Sequence, residues 1–206
     1  MALHVVDHPL LQETLARLRD RATPCDEFRA LSQRISLLLV AEATRDIPTV
    51  AGRVESPLEA TDVRRVAARV VAVPVLRAGL GMLGAFLDLV PSAQVGYFGL
   101  ERDEATAVAR RYYEKVPADL GDALVFLLDP MLATGGSAAM AVEGLHGMGA
   151  RTVRLVSIVA APEGVARLQA AAPAVEIYTA ALDRVLNDRK YILPGLGDFG
   201  DRLYGT

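Results

Sequence analysis

An aspartate and a run of small residues follow a short apolar segment in the middle of the chain. Residues 125–128 are apolar, Asp129 comes next, and residues 133–137 read Ala-Thr-Gly-Gly-Ser before a helix-like segment begins. A buried strand would fix the direction of the acid, and the glycines let an anion approach the backbone closely. The start of the next helix offers unpaired N–H groups and a positive dipole. The pattern predicts a site for a phosphorylated ribose.

The glycine spacing of this segment differs from that of other nucleotide-binding loops. It lacks the lysine of a Walker loop, and its glycines do not match the dinucleotide fingerprint. These differences disfavour an ATPase and a nicotinamide-dependent enzyme. We expect Asp129 to accept hydrogen bonds from ribose hydroxyls and residues 133–137 to hold the terminal phosphate. The alternative, a purely structural turn, would not need Thr-Gly-Gly-Ser in that order.

Two arginines follow other apolar segments. Arg77 comes just after residues 70–75, beside Gly79, where a guanidinium can grip a diphosphate with two parallel hydrogen bonds. The alternative for Arg77 is an ion pair with a surface acid. Arg102 stands at the base of a long charged segment, residues 101–117, which is predicted to be an arm that closes over the substrate and excludes water. The alternative for the later cations of this arm is a solvated hairpin.

The C-terminal region is rich in residues that break regular structure. Residues 190–202 contain Pro194 and several glycines, which predicts an irregular backbone. Such a backbone can present N–H and C=O groups to a flat polar base without using charged side chains. From the residues alone, an ordered tail that packs on the domain is the preferred interpretation.

The remaining reactive side chains form no recognisable catalytic pattern. The three histidines, His4, His8 and His146, do not have the spacing of metal ligands, and Cys25 is interpreted as an inert thiol. Neither a nucleophile–base triad nor a metal site built from protein side chains is predicted.

Composition limits the class of protein. The chain has 206 residues, of which 52% are hydrophobic and 23% charged, which suits one domain with a substantial core. A net charge of -3 gives no general attraction to nucleic acid. No apolar run is long enough to span a membrane, and no signal peptide is recognised. A single cysteine cannot form an internal disulfide, so we expect a cytoplasmic protein. Because no long apolar run is present, we also expect no membrane partner.

Apolar segments of strand length alternate with helix-like segments after residue 69. Strands are predicted at residues 70–75, 93–99, 123–128, 153–159 and 175–180, and helices at residues 82–90, 137–148 and 162–171. This alternation is typical of an α/β fold with a mostly parallel sheet covered on both faces. Ligands of such sheets bind beyond the carboxyl ends of the strands, so Arg77 and Asp129 are expected at the same edge.

The N-terminal region is predicted to be helical. Helices are expected at residues 9–21 and from Pro24 to about residue 44, with Thr23 as the N-cap of the second helix. Residues 49–57 suggest short strands or a hairpin. We predict a single domain of residues 1–206, with N-terminal helices in residues 1–48, the arm at residues 101–117 and a tail at residues 181–206.

Several stretches of the chain resemble the uracil phosphoribosyltransferase family. They extend over nearly the whole length and comprise residues 42–44, 73–82, 129–137, 160–164 and 191–202. The most specific are Asp-Pro-Met-Leu-Ala-Thr-Gly-Gly-Ser at 129–137 and Pro-Gly-Leu-Gly-Asp at 194–198. The resemblance implies a phosphoribosyltransferase-type fold and a pyrimidine salvage reaction. In that reaction uracil and 5-phospho-α-D-ribose 1-diphosphate (PRPP) give UMP and diphosphate.

The resemblance also implies which residues bind PRPP. Arg77 and Arg102 would bind the diphosphate, and Asp198 would lie near the donor. The ribose 5-phosphate and the ribose hydroxyls would contact Asp129, Pro130, Met131, Leu132, Ala133, Thr134, Gly135, Gly136 and Ser137. The candidate catalytic residues are therefore Arg77, Arg102, Asp129 and Asp198.

For the base, the resemblance implies recognition by the tail. The backbone of Ile192, Gly197, Asp198 and Phe199 would read uracil. Mg²⁺ would arrive on PRPP and not on protein side chains. Members of the family form homodimers or homotetramers, and some respond to GTP as an effector.

The chain departs from the family pattern in places. Ala109 and Arg111 stand in the arm where prolines are expected, which bears on the closure of the arm and not on the reaction. Phe199 occupies a position that often holds a smaller residue. A second function on the same fold is a pyrimidine-responsive RNA-binding regulator, which the acidic balance and the uracil-specific tail disfavour. A purine base is ranked lower, because purine enzymes use a different base-binding segment.

Overall fold

The computed structural model describes the backbone of residues 2–102 and 109–206 and the side chains of residues 2–100 and 110–206. The helices within these residues are α1 Pro9–Arg19, α2 Cys25–Ala43, α3 Leu80–Leu89, α4 Gly136–Gly147, α5 Pro162–Ala171 and α6 Phe199–Tyr204. The strands are β1 Leu3–Val5, β2 Thr49–Glu55, β3 Ala60–Val66, β4 Arg69–Leu76, β5 Gln94–Val95, β6 Tyr97–Arg102, β7 Ala109–Lys115, β8 Ala123–Leu128, β9 Met131–Leu132, β10 Thr152–Ala160, β11 Glu176–Leu182, β12 Val185–Leu186 and β13 Ile192–Leu193.

The main sheet is mostly parallel, which confirms the predicted α/β fold. Its strand order is β1-β11-β10-β8-β4-β6-β7, with β5 beside β4 and β9 beside β10. Each pairing is parallel except that of β6 with β7. The central strand β8 is buried at all six positions, as expected for a strand covered on both faces. Its bounds match the apolar run in the sequence.

Helices cover both faces of this sheet. Side chains on one face, such as Ala72 and Phe126, pack with α1, α2, α3 and α6. Neighbouring side chains, such as Val73 and Val125, point to the opposite face and pack with α4 and α5. This alternation follows from the two-residue period of a strand. The sheet is therefore fixed on both sides, and the loops that leave its strands have rigid starting points.

The N-terminal region differs from its prediction in three details. Residues 3–5 form β1, which pairs in parallel with β11 at the edge of the main sheet, and no strand was predicted there. Helix α1 ends at Arg19, two residues early, because Asp20 adopts an extended conformation. The N-cap of α2 is Pro24 and not Thr23, whose hydroxyl instead donates to the Arg17 carbonyl at 2.6 Å. A run of three residues is too short to show a strand period, which explains why β1 was missed.

Two pairs of strands form antiparallel hairpins, one separate from the main sheet and one at its edge. Strands β2 and β3 pair antiparallel along their whole length, which confirms the hairpin suggested for this region. Strand β7 pairs antiparallel with β6, so the described part of the arm is a hairpin, the alternative considered for its later cations. The Arg102 side chain and residues 103–108 lie outside the described residues, so closure of the arm stays a prediction.

The C-terminal tail contains more regular structure than predicted. Strands β12 and β13 form a small antiparallel pair, and α6 begins at Phe199, inside the segment predicted to be irregular. The glycines bend the chain before this helix and do not prevent it, because Asp198 caps its first turn. The division of the chain into one domain stays a prediction.

Candidate functional site

Two adjoining cavities open at the carboxyl edge of the sheet. The first, which we call the loop cavity, has a volume of about 240 Å³ and is lined by Val75, Leu76, Arg77, Ala78, Leu100, Asp129, Met131, Leu132, Ala133, Thr134, Gly135, Gly136, Ser137 and Ala138. The second, the tail cavity, has a volume of about 420 Å³ and is lined by Ala78, Met131, Ala133, Arg189, Lys190, Tyr191, Ile192, Gly197, Asp198, Phe199 and Gly200. Ala78, Met131 and Ala133 line both, so the two cavities adjoin, and we refer to them together as the cleft.

Asp129 lies where β8 ends. Its N–H donates to the Val156 carbonyl at 3.2 Å, and its Oδ1 accepts a hydrogen bond from the Met131 N–H at 3.4 Å. Desolvation in the cleft raises the pKa of Asp129 to about 6, although the Met131 N–H acts in the opposite direction. The carboxyl group is therefore still mostly ionised at pH 7. A desolvated carboxylate of this kind is a strong acceptor for the hydroxyls of a sugar.

The segment after Asp129 is bonded to β10. The Pro130 carbonyl accepts from the N–H groups of Ile158 and Val159 at 3.0 and 3.1 Å, and the Leu132 N–H donates to the Ser157 hydroxyl at 3.2 Å. Pro130 is buried and is not among the residues that line the loop cavity. Pro130 therefore joins the segment after Asp129 to β10.

The glycine loop, residues 133–137, needs glycine for steric reasons. Gly135 has a φ of 73°, and a Cβ there would lie 2.6 Å from the Gly164 carbonyl oxygen. A Cβ on Gly164 would in turn lie 2.4 Å from the Ala133 carbonyl oxygen. This close packing fixes the loop against the start of α5. Residues 136–138, the first residues of α4, line the loop cavity, and a helix N-terminus at that position suits a phosphate.

Arg77 lies in the turn between β4 and α3 and is exposed at the mouth of the loop cavity. Within the described side chains it forms no salt bridge, which favours a ligand-binding role over the surface ion pair considered above. Its carbonyl accepts from the Leu80 N–H at 3.1 Å and from the Tyr204 hydroxyl at 3.2 Å. Its guanidinium carbon lies 5.8 Å from the centre of the Tyr204 ring. Helix α6 thus contacts the turn that carries Arg77.

The tail cavity is built mainly from backbone and apolar groups. Ile192 and Phe199 are buried, and the Phe199 ring packs edge-on against Phe28 at 5.3 Å. The larger side chain at position 199 is therefore accommodated in the core. The Oδ1 of Asp198 accepts from the Asp201 N–H at 3.0 Å and caps α6. Asp198 consequently has a structural role in addition to any role toward a ligand.

The cleft brings together most of the residues singled out from the sequence. Arg77, Asp129 and residues 131–137 line the loop cavity. Asp198 lines the tail cavity and not the loop cavity, together with Ile192, Gly197 and Phe199. The Arg102 side chain lies outside the described residues, so its predicted contact with a diphosphate stays a prediction.

Sequence reasoning missed several residues that line the cleft. Ala78 and Leu100 carry no polar group, so nothing in their type indicates a site. Arg189, Lys190 and Tyr191 line the tail cavity. Their only signal is their position next to the glycine-rich tail, which is weak because exposed charged residues usually lie in solvent.

The described residues contain neither a group of metal ligands nor a membrane-spanning helix. No group of three or more His, Cys, Asp or Glu side chains in residues 2–100 and 110–206 is arranged to hold a metal ion. Over the part of the chain that the structure describes, no helix combines the length and apolar character needed to cross a membrane.

Comparison with known sequences gives a family over nearly the whole chain. Residues 5–206 match the family model described as "Uracil phosphoribosyltransferase". The chain is 48% identical over 203 residues to the uracil phosphoribosyltransferase of Pediococcus pentosaceus, with 98% of this chain and 97% of that protein covered. It is 49% identical over 205 residues to the uracil phosphoribosyltransferase of Lactococcus lactis subsp. cremoris, with the same coverage.

Comparison with solved structures gives the same architecture. The AQ2163 protein from Aquifex aeolicus is 36% identical and superposes with a TM-score of 0.95, covering 100% of this chain and 99% of that chain. A purine phosphoribosyltransferase from Pyrococcus horikoshii superposes with a TM-score of 0.50 at 14% identity, covering 75% of this chain and 86% of that chain. At that identity the second likeness concerns the fold alone.

Proposed function

The chain belongs to the uracil phosphoribosyltransferase family, and from that premise we propose that it transfers the phosphoribosyl group of PRPP to N1 of uracil. The products are UMP and diphosphate, so the enzyme is a pentosyl-transferring glycosyltransferase of pyrimidine salvage. The observation that carries the proposal is that the loop cavity and the tail cavity adjoin and share lining residues. A cleft with an anion-binding half and a backbone-lined half suits a phosphorylated sugar beside a neutral base.

In the proposed complex the loop cavity holds PRPP. The N–H groups at the start of α4 would bind the 5-phosphate, and Asp129 would accept hydrogen bonds from the ribose hydroxyls. Arg77, joined by Arg102, would bind the diphosphate. As the bond between the anomeric carbon and the diphosphate breaks, negative charge grows on the departing group, and these arginines would stabilise it. Because PRPP would be held at both its 5-phosphate and its diphosphate, the anomeric carbon would stay in line with uracil N1.

The tail cavity would hold uracil. Backbone groups of Ile192 and of residues 197–199 would read the alternating donors and acceptors of the base. Transfer requires that N1 lose its proton, and we propose that backbone contacts of the tail favour the incipiently anionic base, with Asp198 nearby in the lining of the tail cavity. Asp198→Asn is an informative variant, because asparagine is also a good N-cap and keeps α6 capped. Full turnover of this variant with an unchanged pH profile would remove Asp198 from the proton transfer.

Mg²⁺ fits the cleft as an ion brought by the substrate. Among the described residues, Asp129 is the one carboxylate that lines the loop cavity, which suits contact with the ribose hydroxyls of a PRPP–Mg²⁺ complex better than a cage of protein ligands. When bound, the ion would offset the charge of the diphosphate. We expect turnover to be lost on chelation with EDTA and restored by MgCl₂.

Three further parts of the proposal rest on the family resemblance. We propose a cytoplasmic enzyme that assembles as a homodimer or homotetramer and takes GTP as an effector. Light scattering coupled to gel filtration measures the assembly. Initial rates with and without GTP at subsaturating PRPP measure the activation, and equal rates would remove GTP from the proposal.

A product assay tests the main proposal. Each nucleobase is incubated with PRPP and Mg²⁺, and nucleotide formation is followed by chromatography. We expect UMP from uracil and no nucleotide from adenine, guanine or hypoxanthine. A purine nucleotide as the main product would contradict the proposal. The alternative of an RNA-binding regulator has no support among the relatives named above.

A further inference from the structure

A mostly buried ion pair contacts the tail next to the residues that line the tail cavity. Arg19, the last residue of α1, donates to both carboxylate oxygens of Asp183, from Nη1 at 2.8 Å and from Nη2 at 2.6 Å. The side chain of Asp183 is 4% exposed and that of Arg19 is 23% exposed. A bidentate pair of this kind fixes both the relative orientation of the two side chains and the distance between them. It joins residues that are 164 positions apart in the chain.

The same pair binds both polar backbone groups of one tail residue. The Gly195 N–H donates to Asp183 Oδ2 at 2.9 Å, and the Gly195 carbonyl accepts from Arg19 Nη1 at 2.6 Å. Gly195 has a φ of 60°, and a Cβ there would lie 2.2 Å from the Ile192 carbonyl oxygen. The pair therefore holds a tight turn whose conformation only glycine adopts without strain. We call Arg19, Asp183 and Gly195 the tail clamp.

The clamped turn lies between the two parts of the chain that line the tail cavity. Ile192 precedes Gly195 by three residues, and Gly197 follows it by two. Neither Arg19 nor Asp183 lines either cavity. A shift of Gly195 would move both lining segments, because the intervening residues are too few to absorb it.

From this geometry we propose that Arg19 and Asp183 are positioning residues for the pyrimidine, a role that rests on the proposed function of the cleft. They hold the Gly195 turn so that the backbone of residues 192 and 197–199 meets the base at the correct distance. They act through the turn and not by contact with substrate. Their removal should weaken uracil binding far more than PRPP binding.

The chain contains a matched pair for comparison. Arg154 donates to both carboxylate oxygens of Asp46, at 2.6 and 2.8 Å, and to the Ala43 carbonyl at 2.7 Å. This pair has the same chemistry and also binds a backbone carbonyl. Arg154 lies near the start of β10, however, at the edge of the sheet opposite the cleft. It therefore reports the effect of losing a bidentate arginine–aspartate pair away from the cleft, with an aspartate side chain that is 65% exposed against 4% for Asp183.

Steady-state kinetics of Arg19→Lys and Asp183→Asn test the proposal, with Arg154→Lys as the control. Lysine keeps the charge but cannot bond both Asp183 oxygens and the Gly195 carbonyl in this geometry. Because a misplacement of about 1 Å can cost about a hundredfold, we expect KM for uracil to rise about 10- to 100-fold. We expect KM for PRPP to change less than about threefold in the same variants, and neither KM to change in Arg154→Lys.

Several results would overturn the proposal. Unchanged KM for uracil in both variants would do so, and so would an equal rise of both KM values. A lower unfolding midpoint with unchanged KM values, as expected for Arg154→Lys, would show a stabilising role alone. Asp183→Asn, which keeps the size of the side chain, is the second variant if Arg19→Lys does not fold. A wild-type protein that makes no UMP in this assay would instead contradict the proposed function.

Discussion

The glycine loop and the C-terminal tail line the same cleft but are held in different ways. Asp129 and Thr134 accept hydrogen bonds from N–H groups two residues further on, so their conformation is partly set by neighbours in the sequence. In the tail, Arg19 binds the carbonyl of Gly195 across 176 positions of the chain. Arg202 likewise reaches the Leu18 carbonyl across 184 positions.

This difference separates two kinds of recognition. An anion site can be made by a strand end, glycines and a helix N-terminus, which are consecutive in sequence. A site that reads a neutral base through backbone groups needs those groups fixed at defined distances. Here that precision comes from side chains of α1 and α6 that hold the tail from outside the cleft. We therefore expect changes in the loop to affect PRPP and changes around the tail to affect uracil.

The largest effect is expected from Gly135→Ala. An alanine at this position would have to adopt a strained φ of 73°, and its methyl group would lie 2.6 Å from the Gly164 carbonyl oxygen. Together these should raise KM for PRPP on the order of 100- to 1000-fold. Gly147→Ala, at the other end of α4 with nothing within 4 Å of the added atom, is the control and should leave both KM values unchanged. A selective rise in KM for uracil would contradict the division between loop and tail.

The next largest effect is expected from Asp129→Asn, which should change both the free energy of unfolding and the activity. The pKa of Asp129 is raised from its ordinary value of 3.8 to about 6, so the folded protein binds a proton more tightly than the unfolded chain. Wild-type stability should therefore fall as pH rises from about 4 to about 6. Asparagine does not ionise, so the variant should be more stable by about 2–3 kcal/mol at pH 7.5.

Urea unfolding of wild type and Asp129→Asn at pH 4 and pH 7.5 measures this difference. The gain should be small at pH 4 and complete at pH 7.5. An equal gain at both pH values would mean that ionisation is not its cause. The same variant should lose activity about 100-fold or more, since a desolvated charge that binds ligand would be gone.

A smaller effect is expected from Arg202→Met. Arg202 donates to the Leu196 carbonyl in the tail at 2.8 Å and to the Asp20 carbonyl at the end of α1 at 2.6 Å, so its loss removes a charged link between the tail and α1. We expect KM for uracil to rise about tenfold, with little change in KM for PRPP. Arg17→Met is the control, because Arg17 is exposed and pairs with Glu27 on the surface. A rise in KM for PRPP alone would contradict the expectation.

The smallest effect is expected from Tyr204→Phe. This variant tests the contact between α6 in the tail and the turn that carries Arg77. This change removes the hydrogen bond of 3.2 Å to the Arg77 carbonyl but keeps the ring beside the guanidinium. A neutral hydrogen bond of this kind contributes about 0.5–1 kcal/mol, so KM for PRPP should rise about two- to fivefold. Titration of PRPP at saturating uracil measures the change. A larger effect on uracil would mean that α6 acts on the tail cavity alone.

Much of the loop cavity could be located from the sequence. The apolar run of β8, the acid after it and the glycines before α4 have local patterns that predict a strand, a turn and a helix start. Arg77 could be located for the same reason, since it follows β4. Pro130 is predicted to bind with its neighbours and is buried outside the lining of the loop cavity, so its contact with PRPP stays a prediction.

The support of the tail could not be located in this way. Nothing in the types of Arg19 and Asp183 distinguishes them from other charged residues, because their role depends on a contact between distant parts of the chain. Helix α6 is hidden in the sequence, because the glycines and Pro194 indicate an irregular chain while the Asp198 cap that starts the helix is a single residue. Strand β1 was missed because its pairing with β11, and not its own pattern, makes it a strand.

Hydrophobic periodicity and turn residues act over a few positions, so the parallel sheet, the glycine loop and the chemistry of an anion site can be predicted from the residues alone. Which side chains hold the tail, and how the loop cavity comes to adjoin the tail cavity, depends on the folded chain. Those features depend on distances between residues far apart in the chain. Such distances are fixed when α1 and α6 pack against the same face of the sheet.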